Sequence, residues 1–119
     1  MKETSLTVMM CCDADDRLPE NLLSVLPNAE QVYLEPGLKV MRIAPGVLIQ
    51  FYQARTCLPE HVANNAGPIV SFRVDDLDEA ISMFTADGAK ILMKCADKHT
   101  GFSFCHLQLR NGSLIGLFV

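Results

Sequence analysis

The sequence has no surplus of positive charge, no long apolar run, no cluster of glycines and no orderly spacing of cysteines. Each absence removes a class of function. Ten Lys and Arg stand against fourteen Asp and Glu, a net charge of -4 over 119 residues, the wrong sign for a surface that condenses on a phosphate backbone. Nucleic acid is therefore not expected as a partner. No apolar stretch approaches the roughly 20 residues needed to cross a bilayer, and the start MKETSLTVMMCCDADD is short, punctuated by Glu3 and closed by acids. A soluble, cytoplasmic chain without a secretory signal or membrane contact is expected. The five cysteines, Cys11, Cys12, Cys57, Cys95 and Cys105, are odd in number and mostly inside apolar runs, which suits reduced, buried thiols better than a disulfide framework or a catalytic thiol. Every glycine except Gly116 falls at an expected turn, cap or connector, so no phosphate-cradling loop is present.

Half the residues are apolar and 20% are charged, which is ample for one core and too little chain for two independent ones. Leu6 to Cys12 is too short for a helix and reads as a strand closed by the acidic turn DADD. Leu18, Leu22, Val25 and Leu26 make one helical stripe, with Pro19 tolerable in the first turn and Pro27 ending it. Three strands follow: Gln31 to Leu34, LKVMRIA and VLIQFYQ, separated by Glu35-Pro36-Gly37 and Pro45-Gly46. Residues 54–67 have no sustained period and read as a connector with at most one helical turn. IVSFRV then alternates like a strand with two different faces. Asp76 and Glu79 have capping-box spacing, Leu77, Ala80, Ile81 and Phe84 share one helical face, and Gly88 stands where a left-handed cap is wanted. AKILMK, FSFCHLQL and SLIGLFV complete a second set of three strands, the last two joined by Asn111-Gly112. The acids of DADD and DDLDE precede helices and read as caps rather than cation ligands.

The chain thus repeats a strand-helix-strand-strand-strand unit. Leu6 to Asp13 aligns with Ile69 to Asp76 at a shift of 63, and Val40, Arg42, Gly46, Leu48 and Gln50 align with His106, Gln108, Gly112, Leu114 and Gly116 at a shift of 66. Module one spans about 5–53, the connector 54–67 and module two 68–119. Each half has one amphipathic helix and a small sheet, too little for independent stability, so the halves form a single domain.

With paired βαβββ modules, the segment VSFRVDDLDEAISMFTADGAKIL and the closing RNGSLIGLFV, the chain resembles the vicinal oxygen chelate superfamily, which includes glyoxalase I, bleomycin-resistance proteins, extradiol dioxygenases and fosfomycin-resistance enzymes. The resemblance covers nearly the whole chain and is most specific over residues 68–119. It implies an α+β fold in which two modules curve a mixed sheet into a cup with helices outside and a ligand on the concave side. It also implies, in the metal-dependent members, one ligand on the first and one on the last strand of each module. Those positions here are Leu6, Ile69, Gln50 and Gly116, and only Gln50 carries a donor atom, whereas a catalytic site needs about three protein ligands. Neither Thr7, Val70 nor Ile115, one residue away, restores a set. No metal and no cofactor are expected. Cys95, His99, Cys105 and His106 lack the spacing of a zinc knuckle, and adjacent Cys11 and Cys12 point to opposite faces of a regular strand.

Alternation sorts the remaining candidates. Val70, Phe72 and Val74 are placed under the second helix, sending Ile69, Ser71 and Arg73 to the concave side, and the shift of 63 sends Leu6, Val8 and Met10 there too, with Cys12 next in line. The ligand-binding set is Arg42, Gln50, Tyr52, Ser71, Arg73, Phe104, His106 and Gln108, apolar walls with a few polar groups and two guanidiniums that favour an anionic, partly aromatic ligand. No nucleophile-base arrangement is assignable, so no catalytic residue is named. The reading that follows is a metal-independent small-molecule-binding protein of the bleomycin-resistance type. A divergent metal-dependent lyase, isomerase or dioxygenase and a protein-interaction module are the alternatives. Unpaired strand edges and the resembled family both point to a homodimer.

Overall fold

A computed structural model describes residues 4–13, 15–53, 60–63, 67–96 and 101–119. Cys57, His99 and most of the expected connector lie outside them. The chain divides into two compact units, Met1–Pro68 and Ile69–Val119. In the first run β1 (Leu6–Cys11), α1 (Leu18–Val25), β2 (Glu30–Glu35), β3 (Leu38–Ala44), β4 (Val47–Tyr52) and a single turn, α2 (Glu60–Ala63). The second holds β5 (Ile69–Arg73), α3 (Leu77–Ala86), β6 (Lys90–Ala96), β7 (Ser103–Gln108) and β8 (Leu114–Phe118). Each unit is a βαβββ module with strand order β2-β3-β4-β1 or β5-β8-β7-β6. The helix-bearing crossover makes one parallel pair, β1 with β4 and β5 with β8, and hairpins make the others antiparallel. No helix among the described residues is long and apolar enough to cross a membrane.

Local chemistry sets the boundaries. Asp16 Oδ1 accepts from the Leu18 amide at 2.9 Å, Pro19 sits in the first turn of α1, and Pro27 lies just past its end. At α3 the Asp76 carboxylate accepts from the Glu79 amide at 3.0 Å, and the chain leaves through Gly88 at φ 98°, a left-handed backbone that glycine adopts without penalty. The acidic run before α3 therefore caps its helix, whereas at α1 the N-cap is Arg17, without a side-chain cap bond, and Asp16 holds the first helical amide from one residue outside it.

α1 buries its stripe on one face of its own sheet: Cys12, Met41, Ile49 and Phe51 form the centre, with Val8, Met10, Leu18 and Leu22 against them. In the second unit Leu77, Ile81, Cys105, Leu107 and Leu117 form the centre, with Val74, Phe84 and Ile115 around it. Each large side chain so buried contributes about 1.5–3 kcal/mol relative to exposure. Phe72, expected beneath the second helix, is 42% exposed. α3 packs chiefly on β7 and β8 and leaves the far end of β5 uncovered.

The duplication is visible in the registers. Val40 pairs with Gln50 as His106 pairs with Gly116, which keeps the shift of 66. Both outer strands carry an irregularity at the equivalent place, between Gln31 and Tyr33 in β2 and between Ile91 and Met93 in β6. Such bulges blunt an otherwise open sheet edge. The first strands correct the sequence reading. Met9 stands opposite Gln50 and Ser71 opposite Gly116, so the shift there is 62, not 63. A slip of one residue exchanges the two faces of a strand. Leu6, Val8, Met10 and Cys12 consequently face α1, and Thr7, Met9 and Cys11 occupy the other face. The counterpart of Ile69 is Thr7 rather than Leu6.

Candidate functional site

In both modules the sheet face away from the helix carries the candidate residues, and cross-strand pairing sets them in rows. In module two, Ser71, Gly116, His106 and Met93 lie side by side across β5, β8, β7 and β6. The next row outward is Arg73, Phe118, Phe104 and Cys95, and on the other side Leu114, Gln108 and Lys90 stand together beyond Ile69. Phe104 and His106 have ring centroids 5.3 Å apart at 51°. Phe102 joins them, 5.9 Å from Phe104 and 6.4 Å from Phe118. The centroid separations lie within the roughly 4.5–7 Å range of interacting aromatic pairs, with the rings tilted between stacked and edge-to-face. His106 is 4% exposed, Arg73 is exposed, and Ser71, Phe104 and Gln108 are half-buried.

Gly116 is the centre of this arrangement. A Cβ added there would meet Ser71 Oγ at 2.1 Å, Ser71 Cβ at 3.0 Å and His106 Cδ2 at 3.2 Å. The side chains of its two strand neighbours have closed over the missing one, so the serine and the histidine approach each other only because residue 116 has no side chain.

The corresponding rows of module one read Met9, Gln50, Val40 and Tyr33, then Cys11, Tyr52, Leu38 and Glu35, then Thr7, Leu48, Arg42 and Glu30. Gln50 is thus flanked by Met9 and Val40, both apolar. Arg42 does not stand open to an anion: its guanidinium is ion-paired with Glu30 across the β2–β3 hairpin. Tyr52 sits between Leu38 and Cys11, and its phenol is pushed above the usual range by burial, then by the Glu35 carboxylate and Cys11. The Cys11 thiol donates to the Val62 carbonyl of α2 at 3.9 Å, and Val62 is 3% exposed. α2 is therefore seated at the Cys11 end of this face, with the His61 imidazole held below its usual pKa by burial. Arg42, Gln50 and Tyr52 share one module face, and Ser71, Arg73, Phe104, His106 and Gln108 the other. Sequence reasoning missed Phe118 and Phe102, although Phe118 follows from Gly116 by the two-residue period. It also missed Tyr33 and Glu35, which the bulge in β2 hides.

The donors do not suit the metal that the resemblance implies. Corrected for register, the four positions are Thr7, Gln50, Ile69 and Gly116, a hydroxyl and an amide oxygen with no carboxylate or imidazole. The space of a carboxylate at 116 is already filled by Ser71. Among the described residues no three His, Cys, Asp or Glu side chains come together. Cys105 lies in the core under α3 while His106, next to it, faces the opposite way, so they do not form a joint ligand pair.

No protein-family model matches the sequence, and no curated protein sequence matches it either. Solved structures do. The methylmalonyl-CoA epimerase of Mycobacterium tuberculosis is similar over 98% of this chain and 87% of its own, with a TM-score of 0.65 and 16% identity. A glyoxalase/bleomycin resistance protein/dioxygenase superfamily member from Vibrio splendidus 12B01 covers 95% of this chain and 96% of its own, at TM-score 0.62 and 14% identity. An uncharacterised protein from Methanosarcina mazei reaches 22% identity at TM-score 0.54, over 98% and 92%. The likeness shows the fold: this chain has the α+β, paired-module fold of the vicinal oxygen chelate proteins.

Proposed function

We propose that this chain is a cytoplasmic, metal-independent small-molecule-binding protein whose ligand, aromatic and anionic, lies on the helix-free face of the module-two sheet. The supporting observation is the surroundings of Gly116. At residue 116, a last-strand position where the resemblance implies a metal ligand, Ser71 and His106 have closed over the backbone, and Phe104, Phe118 and Phe102 line the adjoining wall. A face of rings with a hydroxyl, an imidazole and Arg73, which stands opposite Phe118 in the β5–β8 register, suits a flat ligand carrying a carboxylate. Gln108, on the same face, supplies a further polar contact. Related folds take anionic ligands of another shape, since a methylmalonyl-CoA epimerase is known in complex with methylmalonyl-CoA and NH4+. The net charge of -4 argues against nucleic acid as the partner, and the four described cysteines are free, in keeping with a reducing compartment.

The test is a thermal-shift panel of aromatic carboxylates, with benzoate and salicylate as the first probes, on protein prepared without chelators and assayed for bound transition metals. A saturable rise in Tm that is lost in Phe104→Ala and Arg73→Gln variants supports the reading, because a native-state ligand stabilises by mass action. Stoichiometric Zn, Ni, Mn or Fe, removed with loss of binding by His106→Ala, overturns it. The same reading includes a homodimer, favoured by the exposed apolar residues of the outer strands, Val32, Tyr33 and Leu34 in β2 and Ile91 and Leu92 in β6. Light scattering that gives the 13.1 kDa mass of one chain at micromolar concentration refutes that part alone.

A further inference from the structure

Module two has a groove on the side of the helix, away from the open sheet face. The groove, of about 340 Å³, lies where the end of α3 meets the β7–β8 turn, lined by Phe84, Asp87, Ala89, Leu109, Arg110 and Asn111. That is the lower end of the size range of small-molecule pockets, about 300–1,000 Å³. Its floor is apolar, from Phe84, Ala89 and Leu109. Its rim carries one fixed positive and one negative group.

Arg110 is held in place by a glycine. Gly88 has φ 98°, and a Cβ there would stand 2.7 Å from both Cγ and Cδ of Arg110. The aliphatic stem of Arg110 therefore lies flat on the Gly88 backbone, which removes much of the rotamer freedom that an exposed arginine loses on binding. Capping of α3 does not account for this placement. The Phe84 carbonyl already accepts from the Asp87 and Ala89 amides at 3.1 Å each, and the Thr85 carbonyl from the Gly88 amide at 3.0 Å. On the turn, Asn111 Oδ1 accepts from the Ser113 amide at 2.9 Å, leaving its Nδ2 as a donor. Neither Arg110 nor Asp87 is in an ion pair among the described residues.

We propose that this groove binds a small zwitterion with an apolar side chain, of the free α-amino-acid type. The carboxylate meets the Arg110 guanidinium, with the Asn111 amide beside it. The ammonium meets the Asp87 carboxylate, and the side chain lies on Phe84, Ala89 and Leu109. A simple anion is disfavoured by Asp87 and a simple cation by Arg110, so only a ligand with both charges gains from both rim groups. The groove is separate from the open sheet face, and its occupancy does not depend on the reading given for that face.

The experiment is an amide NMR titration of the intact chain with L-leucine at millimolar concentration, alongside 4-methylpentanoate, which lacks the ammonium, and 3-methylbutylamine, which lacks the carboxylate. The expected result is saturable shifts at Ala89, Leu109, Arg110 and Asn111 for leucine. Each analogue is expected to bind about ten-fold or more weakly, as are the Arg110→Gln and Asp87→Asn variants with leucine, since each loses one charge-assisted contact. Both substitutions are at exposed positions, so the variants are checked for an unchanged spectrum elsewhere. No saturable shift with leucine overturns the proposal. So does equal binding of the pentanoate with Asp87→Asn unaffected, which would make the groove an anion site only.

Discussion

Replacing Gly116 by alanine tests the packing on which the proposed site rests. The new Cβ would lie 2.1 Å from Ser71 Oγ, 3.0 Å from Ser71 Cβ and 3.2 Å from His106 Cδ2, where carbon atoms prefer about 3.5–4.0 Å. The hydroxyl can swing to another rotamer, but the Cβ of Ser71 is fixed by the backbone opposite Gly116, so β5 or β8 has to move. Overpacking of this kind costs about 1–3 kcal/mol, and the lower entropy of an unfolded chain with alanine returns about 0.4–1 kcal/mol. A net loss of about 1–2 kcal/mol remains, a fall in Tm of about 3–10 °C for a domain of this length. Urea melts of wild type, Gly116→Ala, Ser71→Gly and the double variant close a cycle. If the contact is the cause, the double variant is less damaged than the sum of the singles by about 1 kcal/mol, above the scatter of independent sites at about 0.3–0.5 kcal/mol. A Gly116→Ala protein as stable as wild type, or strict additivity, refutes the reasoning and with it the claim that residue 116 has no room for a metal-binding carboxylate.

Asp76→Ala removes the side-chain acceptor for the Glu79 amide and is expected to lower stability by about 1 kcal/mol, read in the same urea melts. Asp78→Ala, whose pair with Lys94 is exposed, is expected to lie within about 0.5 kcal/mol of wild type. Tyr52 has its phenol pKa raised by burial, so the folded state holds the proton more tightly than the unfolded one. Stability from this group is complete below about pH 10, the unfolded value, and is lost as pH rises through the folded pKa. Tyrosinate absorbance at high pH should show Tyr52 ionising later than in a denatured chain, and coincident titrations would contradict it. Alkylation followed by peptide mass spectrometry should label half-buried Cys11 and Cys95 before Cys12 and Cys105, whose thiols burial holds above the usual range. The reverse order would place the core on the wrong face of β1.

What the sequence alone determined was local and periodic. The order of elements, the cap at Asp76, the turns at Gly37, Gly88 and Gly112 and the repeat of the βαβββ unit follow from turn chemistry and side-chain period. So does the sorting of Ser71, Phe104, His106 and Gln108 onto one face, because VSFRV and FSFCHLQL alternate in polarity. The face of β1 was not legible, since in LTVMMC only Thr7 is polar and a strand without alternation fits either register. Only pairing with β4 decided it, and with it that Thr7, not Leu6, is the counterpart of Ile69. Likewise the sequence gives Arg42 a charge but not its tie to Glu30, and gives Gly116 no side chain but not the serine that fills the space. Neighbours across strands are set by register and bulges, which depend on distant segments, and no one-dimensional pattern carries that information.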